Sequence, residues 1–468
     1  MPPSPPRSRR GWRYAWRCSF SFSEAPRGVR RLPELLIRNA RIMDPFNELD
    51  EKMDVMISRG RIAALAKELP VQGRESIQAE GMVLAPGFLE IHAHLREPGK
   101  EDAETLESGL ESALRGGYTA VCCMPNTDPP LDNAAIVEGI AAKARDLGLA
   151  DLFPVGCISR RREGSELAEM ALMHLSEAHV RAFSDDGSGV ADSGLMRRAM
   201  EYVQAFDGLL ISHAEEAALS RGGQINEGTV STEMGLKGIP ALAEEVMVAR
   251  DLLLAEETGC RLHLAHLSTA RSVRMLREAK ERGVRVTAEV TPHHLLLSEM
   301  DIAGYDTVFK VNPPLRTPHD VRYLQEALAD GTIDAIATDH APHTIEDKEK
   351  EFDYAPFGVV GMESAFPVLY SELVLAGGLD PMRLIALLTS GPARVLGLQP
   401  PQYGAGIVEG ARADLVIMDV ENEWTLDAKR FASKGRNCPF HGRRVKGRIR
   451  CTLKNGGVAY RLAEAGSG

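Results

Sequence analysis

The stretch Met82 to Gly99, MVLAPGFLEIHAHLREPG, carries an apolar run straight into two histidines spaced by one residue. Side chains on a strand alternate with a period of two, so His92 and His94 share a face. That makes them a ready pair of metal ligands at the carboxyl end of a strand. Arg96, two residues on, stays near the same face and offers a planar cation to whatever a metal activates. A single HxH is a moderate signal, because two histidines on a solvated strand face read the same. The rest of the chain decides.

Outward from this strand, the centre of the chain alternates apolar strands with amphipathic helices. Strands are expected at 88–94, 118–124, 152–158, 180–184, 209–213, 261–266, 285–290 and 334–338. Helical runs such as GLESALRGG, AAIVEGIAAKARDLG and TARSVRMLREAKERG lie between them, several closed by Gly. Eight strands with crossover segments predict an α/β fold, a parallel (β/α)8 TIM-type barrel over 86–399. A doubly wound open sheet shares the alternation. The polar residues favour the barrel: His92, His94, Asn126, Asp186, His213, His266, His293, His294 and Asp339 all fall at or just past a strand's carboxyl end, and closure brings those ends around one mouth.

The flanks have a different texture. LLIRNARIMD and MDVMISRGRIAALA near the start, and ADLVIMDV and RRVKGRIRCTL near the end, are short and β-like. Segments 35–85 and 400–462 are therefore expected to meet in one small β-sandwich built from both chain ends. Residues 1–34 are rich in Arg, Pro and Ser. They suit a transit peptide in composition but lack an amphipathic pattern. We read them as a disordered extension or the product of an upstream start codon, and leave them out of the fold.

The 468 residues suit a barrel plus a second module, and 44% hydrophobic with 26% charged residues matches an ordinary soluble protein. No apolar run approaches the ~18 residues of a membrane span. The net charge is −11; residues 1–31 hold eight arginines and one glutamate, and removing this +7 leaves −18 on the rest. So acidic a body argues against a nucleic-acid partner and requires that an anionic substrate be held by a local cation. Seven cysteines without CxxC spacing fit free thiols in a reducing cytoplasm, and Cys122 and Cys123 read as core residues.

Each polar residue also has a bland reading. A lone strand-end histidine is more often a hydrogen-bonded core residue, the aspartates of FSDDG suit a turn, and Asp339 in TDHAPH suits a helix cap. Jointly, those readings place every group on one rim by accident. Four histidines and two carboxylates on one mouth suit two first-row divalent ions, zinc first among them. Such a pair ~3.5–4 Å apart holds a bridging hydroxide and polarises a carbonyl, so the expected chemistry is metal-assisted hydrolysis.

The motifs HAHLREPG at His92, MPNTDPP at Met124, SDDGSGV at Ser184, SHAEE at Ser212, AHLST at Ala265, VTPHHLLL at Val290, VNPPLR at Val311, ATDHAPH at Ala337 and APFGVVGMES at Ala355 resemble the dihydroorotases of the amidohydrolase superfamily, and among them the long bacterial branch. The resemblance runs from about Leu35 to Arg461. It implies His92 and His94 on one zinc, His213 and His266 on the other, and Asp186 bridging both, where many relatives use a carboxylated lysine. Asp339 would ligate the first metal and act as the acid/base group. Arg96, Asn126 and His343 would grip the substrate carboxylate, while Asn312 and the backbone around Phe357 and Gly358 would address the pyrimidine ring. One departure is Glu90, where the family usually has aspartate. Its extra methylene is expected to shift a contact to a metal-binding histidine.

The implied activity is reversible hydrolysis of L-dihydroorotate to N-carbamoyl-L-aspartate in pyrimidine biosynthesis. The alternatives are a hydantoinase, dihydropyrimidinase or allantoinase, whose substrates lack that carboxylate, and a silent scaffold for aspartate transcarbamoylase. A cytoplasmic homo-oligomer is expected, with aspartate transcarbamoylase as the candidate protein partner. His293 and His294 are assigned to local structure. The charged segment Thr344 to Tyr354 is expected to form a mobile flap over the site.

Overall fold

The computed structural model describes residues 34–463 except 72, 303, 401 and 402. The extension expected at 1–34 lies outside the described residues but for its last position. Eight parallel strands form where the apolar runs predict them: Phe88–Ala93, Tyr118–Cys123, Asp151–Pro154, Ala182–Ser184, Leu209–Ser212, Arg261–Leu264, Val286–Val290 and Ala335–Ile336. The first two are buried at every residue. A parallel strand covered on both faces has no solvent side, which is why these segments read as continuous apolar runs.

Hydrogen bonds group the strands into a parallel sheet of the first three and a parallel sheet of the last five, in chain order. Parallel bridges at Gly156 with Phe183 and at Ala93 with His340 link the two sheets at both junctions. There Gly156 N donates to Ala182 O at 3.0 Å, and His94 N to His340 O at 2.8 Å. Successive residues of one strand enter different cores. Ala120, Cys122, Leu209 and Ile211 pack with Leu89, Ala335 and Ala337, while Val121, Cys123 and Leu210 join helix residues such as Leu110, Leu276 and Leu324. The two adjacent cysteines thus serve two cores, and all six cysteines in the described residues are free and buried.

The connecting helices start where the chain supplies caps. Thr105, Thr269 and Thr317 accept from backbone N–H groups at the starts of Leu106–Arg115, Ala270–Glu281 and Pro318–Ala329, the last with Pro at its first position. Most strands end earlier than the sequence reading, as Asp151–Pro154 does against 152–158. The residues beyond leave the ladder and carry the polar groups.

Strands from both chain ends pair in one continuous eight-stranded sheet. Its order is Gly457–Arg461, Arg448–Lys454, Leu415–Asp419, Val83–Pro86, Leu35–Asp44, Leu49–Ser58, Arg61–Ala66, with Glu75–Gln78 also pairing on Leu35–Asp44. Leu415–Asp419 runs antiparallel to Val83–Pro86, which joins the two ends of the chain. A separate core of Ile37, Ile42, Val55, Ile62, Leu415 and Leu453, among others, lies within this module. The segment around 431–437 belongs elsewhere: Ser433 bonds Glu104, and Asn437 bonds Ala341 and Gly358. No helix among the described residues is long and apolar enough to cross a membrane.

Candidate functional site

The strand ends deliver the six expected ligands to one place. His92 lies within Phe88–Ala93 and His94 just past it; Asp186, His213, His266 and Asp339 follow the fourth, fifth, sixth and eighth strands by one to three residues. All six are buried. Asp186 stands at the centre, with Oδ1 3.3 Å from His92 Nε2, 3.5 Å from His213 Nδ1 and 3.6 Å from His266 Nε2, and Oδ2 3.4 Å from His94 Nε2. Asp339 Oδ1 lies 3.0 Å from His94 Nε2 and 3.7 Å from His92 Nε2. The result is two groups that could each hold a metal ion and that share one carboxylate: His92, His94 and Asp186, and Asp186, His213 and His266.

Neighbours fix which ring nitrogen faces the centre. His92 Nδ1 is 2.6 Å from Glu289 Oε1, His94 Nδ1 is 2.8 Å from Asn126 Oδ1, and His213 Nε2 is 3.1 Å from Glu215 Oε2. These oxygens only accept, so those nitrogens carry the protons and the opposite lone pairs converge on Asp186. His213 Nδ1 and His266 Nε2 stand 2.9 Å apart. His92 Nε2 and Asp186 Oδ1 are buried without a hydrogen-bond partner. Burial pushes the Asp186 carboxyl up, but His92, His213 and His266 outweigh it and hold it well below the carboxylate range. Burial likewise lowers His213, yet Asp186 and Glu215 raise it to about 10, so these carboxylates draw a second proton onto the ring that a bound metal would displace to free the lone pair. Buried acceptors converging this way call for a cation. Four imidazole nitrogens and two carboxylates fit first-row divalent ions.

Two carboxylates behind the ligands escaped the sequence reading. Glu289 Oε1 takes His92, and its Oε2 lies 3.1 Å from His263 Nε2. Glu215 takes both His213 and the Asn312 Nδ2 donor, the latter at 2.6 Å. Glu289 had a signal: a lone carboxylate within the apolar strand VTAEV must be paired. Burial raises Glu289, and His92 and His263 bring it down to about 2. Glu90, expected to shift a contact to a ligand ring, instead accepts the backbone N–H of His92 at 2.9 Å and of Thr338 at 3.1 Å. Burial raises the Glu90 carboxyl to about 8, so it splices the two strand ends largely as the neutral acid, and the His92 ring is oriented by Glu289.

Arg96, His266 and Asp339 have φ of +64°, +32° and +47°. Side-chain-bearing residues adopt this region at a cost of about 1–3 kcal/mol each, and such residues concentrate at functional sites. Arg96 is 8% exposed; its Nε donates to Pro342 O at 3.0 Å, and Nη2 lies 3.3 Å from His343 Nε2. His343 Nε2 donates to Phe357 O at 2.7 Å. Burial and Arg96 lower His343 to about 3, so the ring is neutral at physiological pH. Asn126 spends its carbonyl on His94 and keeps its amide N–H groups. Arg96 is joined by a second cation that the sequence reading missed: Arg162 Nη2 donates to Asp186 O and to Ser188 Oγ.

Other expected groups have partners within the chain. Asn312 is held by Glu215 beside His213. Gly358 N donates to Lys310 O at 2.9 Å, and Gly358 O accepts from Asn437 and Lys348, so with Phe357 O on His343 these groups brace the turn. Gly358 has φ +131°, and a Cβ there would come within 2.7 Å of Ala341 Cβ, so the turn requires glycine. The segment 344–354 is not the unanchored strip its charge suggests: Thr344 caps the short helix Ile345–Lys348, and Lys348 and Phe352 are buried. His294 is local structure, bonded to Thr291 and Pro313, whereas His293 is buried with Nε2 unpartnered.

Comparison with known proteins places the chain among its relatives. Residues 81–272 match the family model described as dihydro-orotase-like. The chain is 51% identical over 426 residues to the dihydroorotase of Pelotomaculum thermopropionicum, covering 91% of this chain and 98% of that one. It is 49% identical over 430 residues to that of Anaeromyxobacter dehalogenans, covering 91% and 98%. Among solved structures, L-hydantoinase from Arthrobacter aurescens superposes with a TM-score of 0.82 at 26% identity, covering 92% of this chain and 98% of that one. Ligands gathered at the ends of parallel strands, and identity near one half along nearly the whole length of such relatives, lead to one conclusion: the chain belongs to the dihydroorotase family.

Proposed function

We propose that this protein is a dihydroorotase, opening L-dihydroorotate to N-carbamoyl-L-aspartate and closing it in the third step of pyrimidine biosynthesis. The observation that carries the reading is the buried Arg96 guanidinium, set between His343 and the ligand cluster. A buried cation next to a hydrolytic centre suits a substrate with a free carboxylate, and hydantoins, dihydrouracil and allantoin have none. All six ligands are together, which favours an enzyme over a silent scaffold. The strand order and the two linking bridges support a closed (β/α)8 barrel, with the chain-end sheet as its second module.

His92, His94 and Asp339 would hold one zinc ion and His213 and His266 the other, with Asp186 between them. Bound there, the pair supplies an activated water and Lewis-acid polarisation of the ring carbonyl. Arg96 and the Asn126 amide bind the substrate carboxylate by charge-assisted bonds, with neutral His343 completing the cradle. This orients the ring so that its amide carbon faces the attacking oxygen. Asp339 takes the proton of the attacking water and returns it to the ring nitrogen as the C–N bond breaks. The nitrogen leaves as the carbamoyl amide and the carbon becomes a carboxylate. Closure runs the same path backwards.

The test is Arg96→Ala. Losing one partner of a desolvated charge pair costs about 2–5 kcal/mol, so kcat/KM for dihydroorotate should fall roughly 30- to 5,000-fold. Metal content should be unchanged, and residual turnover of dihydrouracil much less affected. Equal losses on both substrates contradict the assignment.

A further inference from the structure

The turn that carries Phe357 and Gly358 has two lysines buried behind it. Lys310 is 1% exposed and Lys348 8%. Lys310 Nζ donates to Phe352 O at 2.5 Å and to Asp353 O at 3.3 Å, and lies 4.7 Å from the Phe357 ring centroid. Lys348 Nζ donates to Pro356 O at 3.0 Å and to Gly358 O at 3.2 Å. Each ammonium spends its donors on main-chain carbonyls of one short stretch, where most buried cations meet carboxylates. Burying an ammonium is costly, and an apolar side chain of equal length fills the same space more cheaply. What the apolar chain cannot do is grip carbonyls.

The stretch so gripped ends in the groups that reach the substrate site. Phe357 O receives His343 Nε2, and His343 stands 3.3 Å from Arg96. Asn437, from the far end of the chain, adds Nδ2 bonds to Gly358 O at 2.9 Å and Ala341 O at 3.1 Å.

We propose that Lys310 and Lys348 are positioning residues that clamp the main chain of 352–358, so that Phe357 O holds His343 in its orientation beside Arg96. The inference rests on the assignment of Arg96 and His343 to the substrate carboxylate. It places the effect of either lysine on substrate binding, with the metal ligands and Asp339 undisturbed.

The experiment uses the zinc-loaded full-length enzyme and the variants Lys348→Met, Lys310→Met and Lys348→Arg. Lys348→Met should raise KM for dihydroorotate at least tenfold with kcat within threefold and metal content unchanged, while Lys348→Arg, which keeps donors, stays within threefold of the parent KM. Amide exchange at 355–359, measured without substrate, should quicken at least tenfold in Lys348→Met and stay near the parent rate in Lys348→Arg. A folded Lys348→Met with unchanged KM and unchanged exchange overturns the clamp, whatever its melting temperature. If Lys310→Met does not fold, Lys348→Met decides alone. A parent without activity on dihydroorotate refutes the functional reading instead, and the exchange measurement still decides the clamp.

Discussion

Replacing Glu289 by Gln should weaken the metal centre without disturbing the fold. The carboxylate is fully buried and receives two imidazoles, His92 Nδ1 at 2.6 Å and His263 Nε2 at 3.1 Å. Gln is isosteric and leaves no cavity. Its carbonyl still accepts from His92, and His263 can turn its lone pair to the new amide because Thr287 Oγ1, 2.8 Å from Nδ1, accepts as readily as it donates. What disappears is the negative charge that makes His92 a stronger ligand. Removing such an outer partner typically costs 10- to 100-fold in metal affinity or activity, or about 1.4–2.7 kcal/mol. The dry surroundings place this site toward the upper end. Zinc retention against a competing chelator should fall by that factor, with kcat/KM following it at limiting zinc. The ion bound by His92 and His94 should be lost before the other. Zinc affinity and activity within threefold of the parent, in a folded variant, would refute the claim that Glu289 orients and charges His92.

Because Asp186 is a fixed carboxylate, zinc reconstitution of the metal-free protein should need no bicarbonate, and Asp186→Ala should lower metal occupancy; recovery that depends on bicarbonate contradicts the bridging role. Asp339→Asn should cut kcat by about 10²–10⁴-fold, the usual worth of a positioned acid/base group, measured at matched zinc content; loss below tenfold excludes it as the proton carrier. Burial lowers Lys348 to about 7 from the ordinary lysine value near 10.5. Between those values the unfolded chain binds more protons than the fold, so this group makes stability rise with pH. The melting temperature of the parent relative to Lys348→Met should therefore increase from pH 7 to 9, and a flat or falling difference refutes the assignment.

The clustering of the candidate ligands was legible because each member stands at a strand end, and strand ends are marked by where an apolar run stops. His92 and His94 needed only the two-residue period. Glu289 was legible in principle, as a charge within a buried strand, but its partner His92 lies on a different strand nearly two hundred residues away. Asn437 carries no local mark: its role depends on the 431–437 segment leaving the chain-end module and packing on the loops after the eighth strand, a long-range contact that periodicity does not encode. Lys310 and Lys348 were hidden for the opposite reason. TIEDKEKEFDY reads as solvated because lysine usually is, and burial of Lys348 and Phe352 depends on carbonyls supplied by the returning turn. The chain-end sheet was predictable in its strands, while its single continuous order follows from Leu415–Asp419 pairing with Val83–Pro86.

The most direct test of the account is ring opening by the zinc-loaded parent enzyme on dihydroorotate and dihydrouracil side by side, with zinc measured on the same sample. The two substrates share the scissile amide and differ in the carboxylate assigned to Arg96. Dihydroorotate should be opened with kcat/KM roughly 30- to 5,000-fold above dihydrouracil. Comparable turnover of the two, or turnover of dihydrouracil alone, would contradict it.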